Sequence, residues 1–170
     1  MGLFSSTQFT SLEDLLIEQL QDLYDAETRL VDALPKMADV AAAAELKAAF
    51  RGHLDETRNQ ISRLEKAFHL LGVEAKAETC EAMKGLLKEG DKVLTGSGDA
   101  NVRDAALIAA AQRVEHYEMA GYGAARNFAQ RLGREDVAQL LQQTLDEEGS
   151  ADKKLTQIAE RSVNLRAAHA

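Results

Sequence analysis

Five glutamates lie where a helical pattern calls for apolar side chains. They interrupt stripes of residues that recur at steps of three and four along the chain: Glu27, Glu56, Glu115, Glu118 and Glu148. A buried carboxylate without a partner costs on the order of several kcal/mol, so such acids pair with a base, keep a proton or bind a metal ion. No Lys or Arg occupies the same stripes at the level of the acids. The pattern therefore favours metal ligation by carboxylate oxygens.

Long helices carry these acids. A capping box beginning at Thr10 starts the first helix. Its leucine stripe runs to Leu34, just before Pro35. Because Met37 to Ala43 is alanine-rich and has no turn residue, we interpret the proline as a kink and place the turn near residues 40–44. A second helix is predicted over 44–71, and Gly72 ends it in the left-handed conformation.

A second helix pair follows a long connection. Asn101 is predicted to cap the third long helix, with Asp104 in its first turn, and Gly133 ends it. The fourth long helix is predicted over 135–162. The connection carries its own short helix over 79–94, and one long connection between two antiparallel pairs is typical of ferritin-like bundles. We therefore predict an all-α, ferritin-like four-helix bundle with a short fifth helix in the crossover.

Composition fits one helical domain, predicted over 8–162 with a frayed tail over 163–170. The chain has 170 residues, 45% of them hydrophobic, with one proline and no tryptophan. We expect no membrane span and no secretory signal. The lone Cys80 is typical of a reducing cytoplasm, and a net charge of −8 argues against nucleic acid as a partner.

The depth of the acids along the bundle indicates that they meet. Glu27 lies about 14 residues before the first turn and Glu56 about 14 after it. Glu118 and Glu148 are each about 15 residues from Gly133. At ~1.5 Å per residue, both pairs lie roughly 21 Å from their turns. We predict one or two metal ions at this level, and the oxygen-rich ligands suit iron or manganese, with zinc also able to bind.

The acidic segments, taken together, resemble the YciF-like bacterial stress proteins. They are Tyr24-Asp25-Ala26-Glu27, His53-Leu54-Asp55-Glu56-Thr57, Glu115-His116-Tyr117-Glu118 and Leu145-Asp146-Glu147-Glu148. The resemblance implies a ferritin-like bundle related to rubrerythrins, often dimeric and associated with stress. It implies that Glu27 and Glu115 match the single glutamates of di-iron bundles, and Glu56 and Glu148 the bridging ones. Glu118 resembles the extra glutamate of rubrerythrins.

The chain departs from the Glu-x-x-His pattern of di-iron bundles, because Asn59 and Ala151 stand where the histidines would be. The candidate replacements are His53, Gln60 and Asp152. His53 either binds a metal or orients a neighbouring carboxylate, and Asp152 is either a ligand or a solvated acid.

Other residues are predicted to lie around the site. Tyr24 and Tyr122 are expected to pack beside it and hydrogen-bond a carboxylate, whereas His116 points away. Gly121 and Gly123 each destabilise a helix interior by ~1 kcal/mol, which predicts close helix approach or a local bulge.

Two classes of function fit these features. The first is a di-metal carboxylate protein, with iron as the expected metal, that oxidises iron or reduces peroxide during stress. We expect it to be a cytoplasmic homodimer that reacts with O2 or H2O2. The second is a non-enzymatic stress scaffold whose acids are protonated or paired. An iron-storage cage fits less well, because nothing in the sequence marks the interfaces of a shell.

Overall fold

The computed structural model of the protein describes residues 10–170, and this part is helical without strands. It contains α1 (Leu12–Val40), α2 (Ala44–Leu71), α3 (Glu81–Thr95), α4 (Ala100–Arg131) and α5 (Glu135–Ile158). A π-helical turn (Ala159–Val163) and the short α6 (Asn164–Ala167) follow. None of the helices described is long and apolar enough to cross a membrane. The expectations about residues 1–9, namely the absent signal and the domain start at residue 8, lie outside this part.

The four long helices form the predicted ferritin-like bundle, in which α1 and α5 each pack against both α2 and α4. At one end, Asp104 of α4 accepts hydrogen bonds from the N–H groups of Ala42 (2.9 Å) and Ala43 (2.7 Å). At the other end, Arg134 donates to the carbonyl of Leu70 (2.6 Å). The long connection therefore crosses the whole length of the bundle. Asp104, expected to act in the first turn of its own helix, instead holds the turn between α1 and α2.

Two N-caps differ from the sequence prediction. Ser11, rather than Thr10, caps α1, and its hydroxyl accepts from the N–H of Asp14 (3.0 Å). Asp99, rather than Asn101, caps α4, because its carboxylate accepts from the N–H of Asn101 (2.7 Å). Both neighbours are good capping residues, so their type alone does not decide the boundary.

The predictions that the first helix continues past Pro35 and that glycines end two of the helices are confirmed. Pro35 lies inside α1, which continues to Val40. Gly72 ends α2 with φ of 74°, and Gly133 follows α4 with φ of 70°. Because L-residues rarely adopt these angles, glycine is the residue that lets the chain turn away at both helix ends.

The C-terminal segment departs from the predicted frayed tail. The chain remains helical through Ala167, and Val163 is buried against the bundle. The predicted fourth helix changes at Ile158 from α-helical to π-helical geometry. An apolar residue in the tail therefore anchors a further turn.

Cys80 attaches the crossover to the bundle. It is the N-cap of α3, which begins at Glu81 rather than at residue 79. Its N–H donates to Asp25 (2.8 Å), and its thiol lies 3.0 Å from the hydroxyl of Tyr117. That hydroxyl also donates to Asp22. The buried free cysteine therefore links α1, α3 and α4.

Two apolar clusters fill the ends of the bundle. The upper cluster, near the α1–α2 turn, includes Leu30, Leu34, Leu46, Phe50, Leu107 and Leu155. The lower cluster, near Gly72 and Gly133, includes Leu16, Leu20, Leu23, Leu64, Phe68 and Leu141. They are separate clusters, and the buried side chains that lie between them along each long helix are polar.

Candidate metal centre

Four of the five predicted glutamates are buried between the two apolar clusters. Glu27 of α1, Glu115 and Glu118 of α4, and Glu148 of α5 are all 2% exposed or less. The prediction that acids enter the core is therefore confirmed for these four. We call them the carboxylate layer.

His53 is the residue that α2 contributes to this layer. Its Nε2 lies 3.4 Å from Glu115 Oε1 and 3.7 Å from Glu148 Oε2. One ligand atom from each of His53, Glu115, Glu118 and Glu148 lies within 4.8 Å of the others. Donors on opposite sides of an ion, each about 2.2 Å from it, are about 4.4 Å apart. The four side chains are therefore spaced to bind one metal ion together.

Glu56 lies at the rim of the layer and not within it. Its side chain is 49% exposed, while Thr57 is fully buried. The predicted inward orientation of Glu56 is therefore wrong. The next residue, Thr57, faces the core instead, and the two side chains are about 100° apart around the helix. Glu56 Oε2 lies 3.3 Å from His53 Nδ1, and this hydrogen bond lowers the pKa of Glu56. With Nδ1 engaged, Nε2 of His53 faces Glu115 and Glu148.

Asp152 and Gln60 have other partners. Asp152 accepts from Gln112 (2.9 Å) and lies 3.4 Å from the exposed His116. Gln60 is buried and donates to Glu147 (3.2 Å). Their roles as metal ligands stay predictions. His116 points outward, as expected.

The two predicted tyrosines differ. Tyr122 is buried, and its hydroxyl donates to Glu27 Oε1 (2.5 Å), which confirms its place beside the layer. Tyr24 donates to the carboxylate of Glu65 (3.0 Å), outside the layer. One carboxylate oxygen of Glu27 is thus fixed while the other is free to bind a ligand.

Periodicity did not reveal a basic group close to the layer. Arg63 is only partly exposed, and it pairs with Glu147 (2.7 Å) and donates to Thr144 (2.7 Å). Its charge lowers the pKa of Glu27, although burial raises that pKa by more. Because a long arginine side chain can reach inward from a flanking position, the helical stripe gave no sign of it.

The buried acids hold protons more tightly than exposed ones. Burial, followed by the charge of neighbouring carboxylates, raises the pKa values of Glu27, Glu115 and Glu118 well above the ordinary value. Burial also raises the pKa of Glu148. Low polarity and mutual repulsion both favour the neutral form.

Many polar atoms of the layer have no hydrogen-bond partner in the protein. These buried atoms are Glu27 Oε2, His53 Nε2, Glu115 Oε2 and both carboxylate oxygens of Glu118 and of Glu148. Buried polar groups nearly always have a hydrogen-bond partner, so a concentration of polar atoms without partners indicates a ligand site. Oxygen atoms and one imidazole nitrogen are the donors that divalent transition metals accept, and the residues therefore fit a metal.

The fold and this cluster define a ferritin-like bundle with a buried carboxylate–histidine site that could hold a metal. Residues 11–168 match the family described as a domain of unknown function, DUF892. Protein YciF of Escherichia coli (strain K12) is 43% identical over 158 residues, which cover 92% of this chain and 95% of that protein. The chain belongs to the YciF-like DUF892 family.

Solved structures agree with this membership. The crystal structure of the E. coli stress protein YciF has a TM-score of 0.88 at 43% identity, covering 92% of this chain and 99% of that chain. YcfI from Rhodopseudomonas palustris has the same TM-score and coverage at 41% identity. A Xanthomonas campestris protein, 22% identical with a TM-score of 0.72 over 94% of this chain and 98% of its own, shares the fold.

Proposed function

We propose that this protein is a di-metal carboxylate protein that binds two divalent ions, iron foremost, and reacts with O2 or H2O2 under stress. The observation that supports it is the set of unpaired oxygen and nitrogen atoms in the carboxylate layer. His53, Glu115, Glu118 and Glu148 would hold the first ion. Glu27 would add its free oxygen to the second.

Charge supports two ions rather than one. The four glutamates carry four negative charges when ionised, and two divalent cations balance them. One cation would leave two buried charges, which a low-dielectric core disfavours. The nearby Arg63 does not supply the balance, because it is paired with Glu147.

The donor set supports iron or manganese over copper, and zinc can also occupy such a site. Bound ferrous iron would supply electrons for the reduction of O2 or peroxide. The residues of this chain would position that centre: Glu56 orients His53, Tyr122 holds one oxygen of Glu27, and the apolar clusters lie on both sides of the layer. Asp152 stays a candidate for completing the coordination.

The stress role is taken from the description of E. coli YciF as a stress protein. With it we propose the cytoplasmic location and the homodimer that the sequence predicts. Light scattering tests the assembly: a dimer is expected, and a large multi-subunit shell would favour iron storage instead.

Metal content tests the proposal most directly. We expect metal-free protein, reconstituted anaerobically with ferrous iron and then desalted, to retain about two ions per chain. Glu148→Gln should retain less than half of that. Asp146→Asn is the matched control, since Asp146 is exposed on the same helix and the change removes the same charge.

Reactivity is measured on the loaded protein. After O2 or H2O2 is added, iron bound to the wild-type protein should be oxidised faster than iron mixed with the Glu148→Gln variant. Folded wild-type protein that retains almost no metal would contradict the proposal. It would favour the scaffold with a protonated carboxylate network.

A further inference from the structure

Two cavities reach the carboxylate layer from opposite sides of the bundle, and they differ in polarity. One, of about 80 Å³, lies between α2 and α5 and has Glu56 and Lys154 on its wall. The other, of about 20 Å³, lies between α1, α3 and α4. Both reach His53 and Glu115, but the remaining wall of the second is made of apolar residues and Gly90.

The polarity of the walls decides which cavity suits a cation. A hydrated divalent ion loses a large hydration free energy against an apolar wall that offers no oxygen ligands. The cavity between α2 and α5 offers a carboxylate at its outer end and the layer at its inner end. We call it the polar cavity.

Glu56 stands at the start of a continuous series of donor atoms in this cavity. Its half-exposed carboxylate lies 3.3 Å from Nδ1 of His53. The other ring nitrogen of His53 lies 3.4 Å from Glu115. Glu56 is absent from the four side chains whose ligand atoms converge. It is therefore close enough to deliver an ion to the layer but is not placed to hold it there.

We propose that Glu56 is the uptake residue of the metal centre: it binds a divalent cation at the mouth of the polar cavity and passes it to His53 and Glu115. This inference rests on the proposed metal site and deepens it. Lys154, on the same wall, opposes uptake because its positive charge repels the cation and attracts Glu56.

An uptake residue has a kinetic signature that a ligand lacks. It lowers the barrier that an ion crosses in either direction, so its loss slows loading and release by the same factor. The dissociation constant, which is the ratio of the two rates, then stays unchanged. Loss of a ligand instead raises release relative to loading and reduces the amount bound.

Glu56→Gln isolates the charge of this residue. Glutamine has the same length and can still accept the hydrogen bond of His53 Nδ1, so the imidazole keeps its orientation. Asp55→Asn is the matched control, because Asp55 is the preceding residue, its side chain is 77% exposed, and it pairs with Arg58. It removes the same charge but does not line the polar cavity.

Lys154 supplies an independent test, in which substitution should raise the loading rate rather than lower it. Lys154→Gln removes a repelling charge from the mouth of the polar cavity and should accelerate loading. Lys153→Gln is its control, since Lys153 is exposed and does not line the cavity.

The experiment follows Co²⁺ binding to the full-length, metal-free protein after rapid mixing at low ionic strength, by visible absorption. Release is then followed after addition of a chelator. We expect Glu56→Gln to slow both rates by about fivefold or more, with the same final absorbance as wild type. Asp55→Asn and Lys153→Gln should stay within about twofold, and Lys154→Gln should load faster.

The outcomes separate this inference from the proposed function. Wild-type protein that binds no Co²⁺ would contradict the metal site itself. Binding by wild type with unchanged rates in Glu56→Gln would overturn the uptake role alone. A lower final absorbance in that variant would also overturn it, because Glu56 would then be a ligand.

Discussion

The ends and the middle of this bundle are built by the same four helices from different side chains. At the ends, the upper and lower clusters consist of apolar residues that are almost fully buried. In the middle, the carboxylate layer and His53 are equally buried but leave many polar atoms without partners. Apolar packing at both ends therefore encloses a polar centre in which many atoms have no hydrogen-bond partner within the protein.

The difference indicates a division of labour between stability and binding. Apolar burial at the ends stabilises the fold and fixes the spacing of the helices. The buried acids of the middle destabilise the metal-free protein, since they lose hydration without gaining partners. A metal ion that binds only the folded state recovers this free energy as folding stability.

The largest expected effect comes from the lower cluster. Phe68 is fully buried, and its ring packs edge-on against Tyr24 at 5.9 Å. Phe68→Ala should lower the free energy of unfolding by about 3–5 kcal/mol, measured by denaturant titration. Iron content should not change, because Phe68 lies about 22 Å along α2 from His53. Leu165→Ala, at an exposed position, should change stability by less than about 0.5 kcal/mol. Loss of iron from the folded Phe68→Ala variant would show that packing at the ends of the bundle also controls metal binding in the middle.

Substitution in the carboxylate layer should instead raise the free energy of unfolding of the metal-free protein. Glu118 is fully buried, and neither of its carboxylate oxygens has a partner in the protein. Glu118→Met should raise the stability of the metal-free protein by about 1–3 kcal/mol while reducing iron content. Thermal unfolding with and without iron measures both effects. Glu89→Met, at an exposed position on α3, should be nearly neutral.

The pH dependence of stability is the control for this variant. Burial raises the pKa of Glu118, so the folded protein holds a proton that the unfolded chain has released above pH ~4.5. The stability of the metal-free protein should therefore fall as pH rises from 5.5 to 7.5, by about 1.4 kcal/mol per pH unit for each proton concerned. Glu118→Met should show a shallower slope. The lowered pKa of Glu56 acts in the opposite sense, at lower pH. An unchanged slope would mean that Glu118 is ionised in the metal-free fold.

The helices and the buried acids could be predicted because both follow from periodicity. Leucines at steps of three and four fixed the inward face of α1, and Glu27 lay on that face. Matching distances from the two turns placed Glu118 and Glu148 at one depth. These are properties of helix geometry, and they do not depend on how side chains are oriented.

Side-chain orientation at neighbouring positions could not be predicted. Glu56 and Thr57 lie on adjacent stripes, and tertiary packing selected Thr57 for the core. That choice left His53 as the contribution of α2 to the site, a role that the sequence left open. Arg63 was missed because its guanidinium reaches the interior from a flanking position. In each case helix rotation or side-chain length determined which side chain reaches the core, and the spacing of residues along the sequence specifies neither.

Two glycines of α4 carry the smallest expected effects and test how tightly the middle is held. Both were predicted to mark close helix approach or a local bulge, and the structure distinguishes them. A Cβ at Gly121 would lie 2.9 Å from Leu23 Cδ2, whereas one at Gly123 would meet nothing within 4 Å. Since Leu23 is almost fully buried in the lower cluster, it has little room to move.

The same substitution should therefore have opposite signs two residues apart. Gly121→Ala should lower stability by about 1 kcal/mol, because the clash outweighs the gain in helix propensity. Gly123→Ala should raise it by about 0.5–1 kcal/mol, since only the propensity changes. Denaturant midpoints of the metal-free variants measure both. Equal stabilisation by the two substitutions would mean that α1 and α4 can separate beside the carboxylate layer, and that packing from the ends does not fix its spacing.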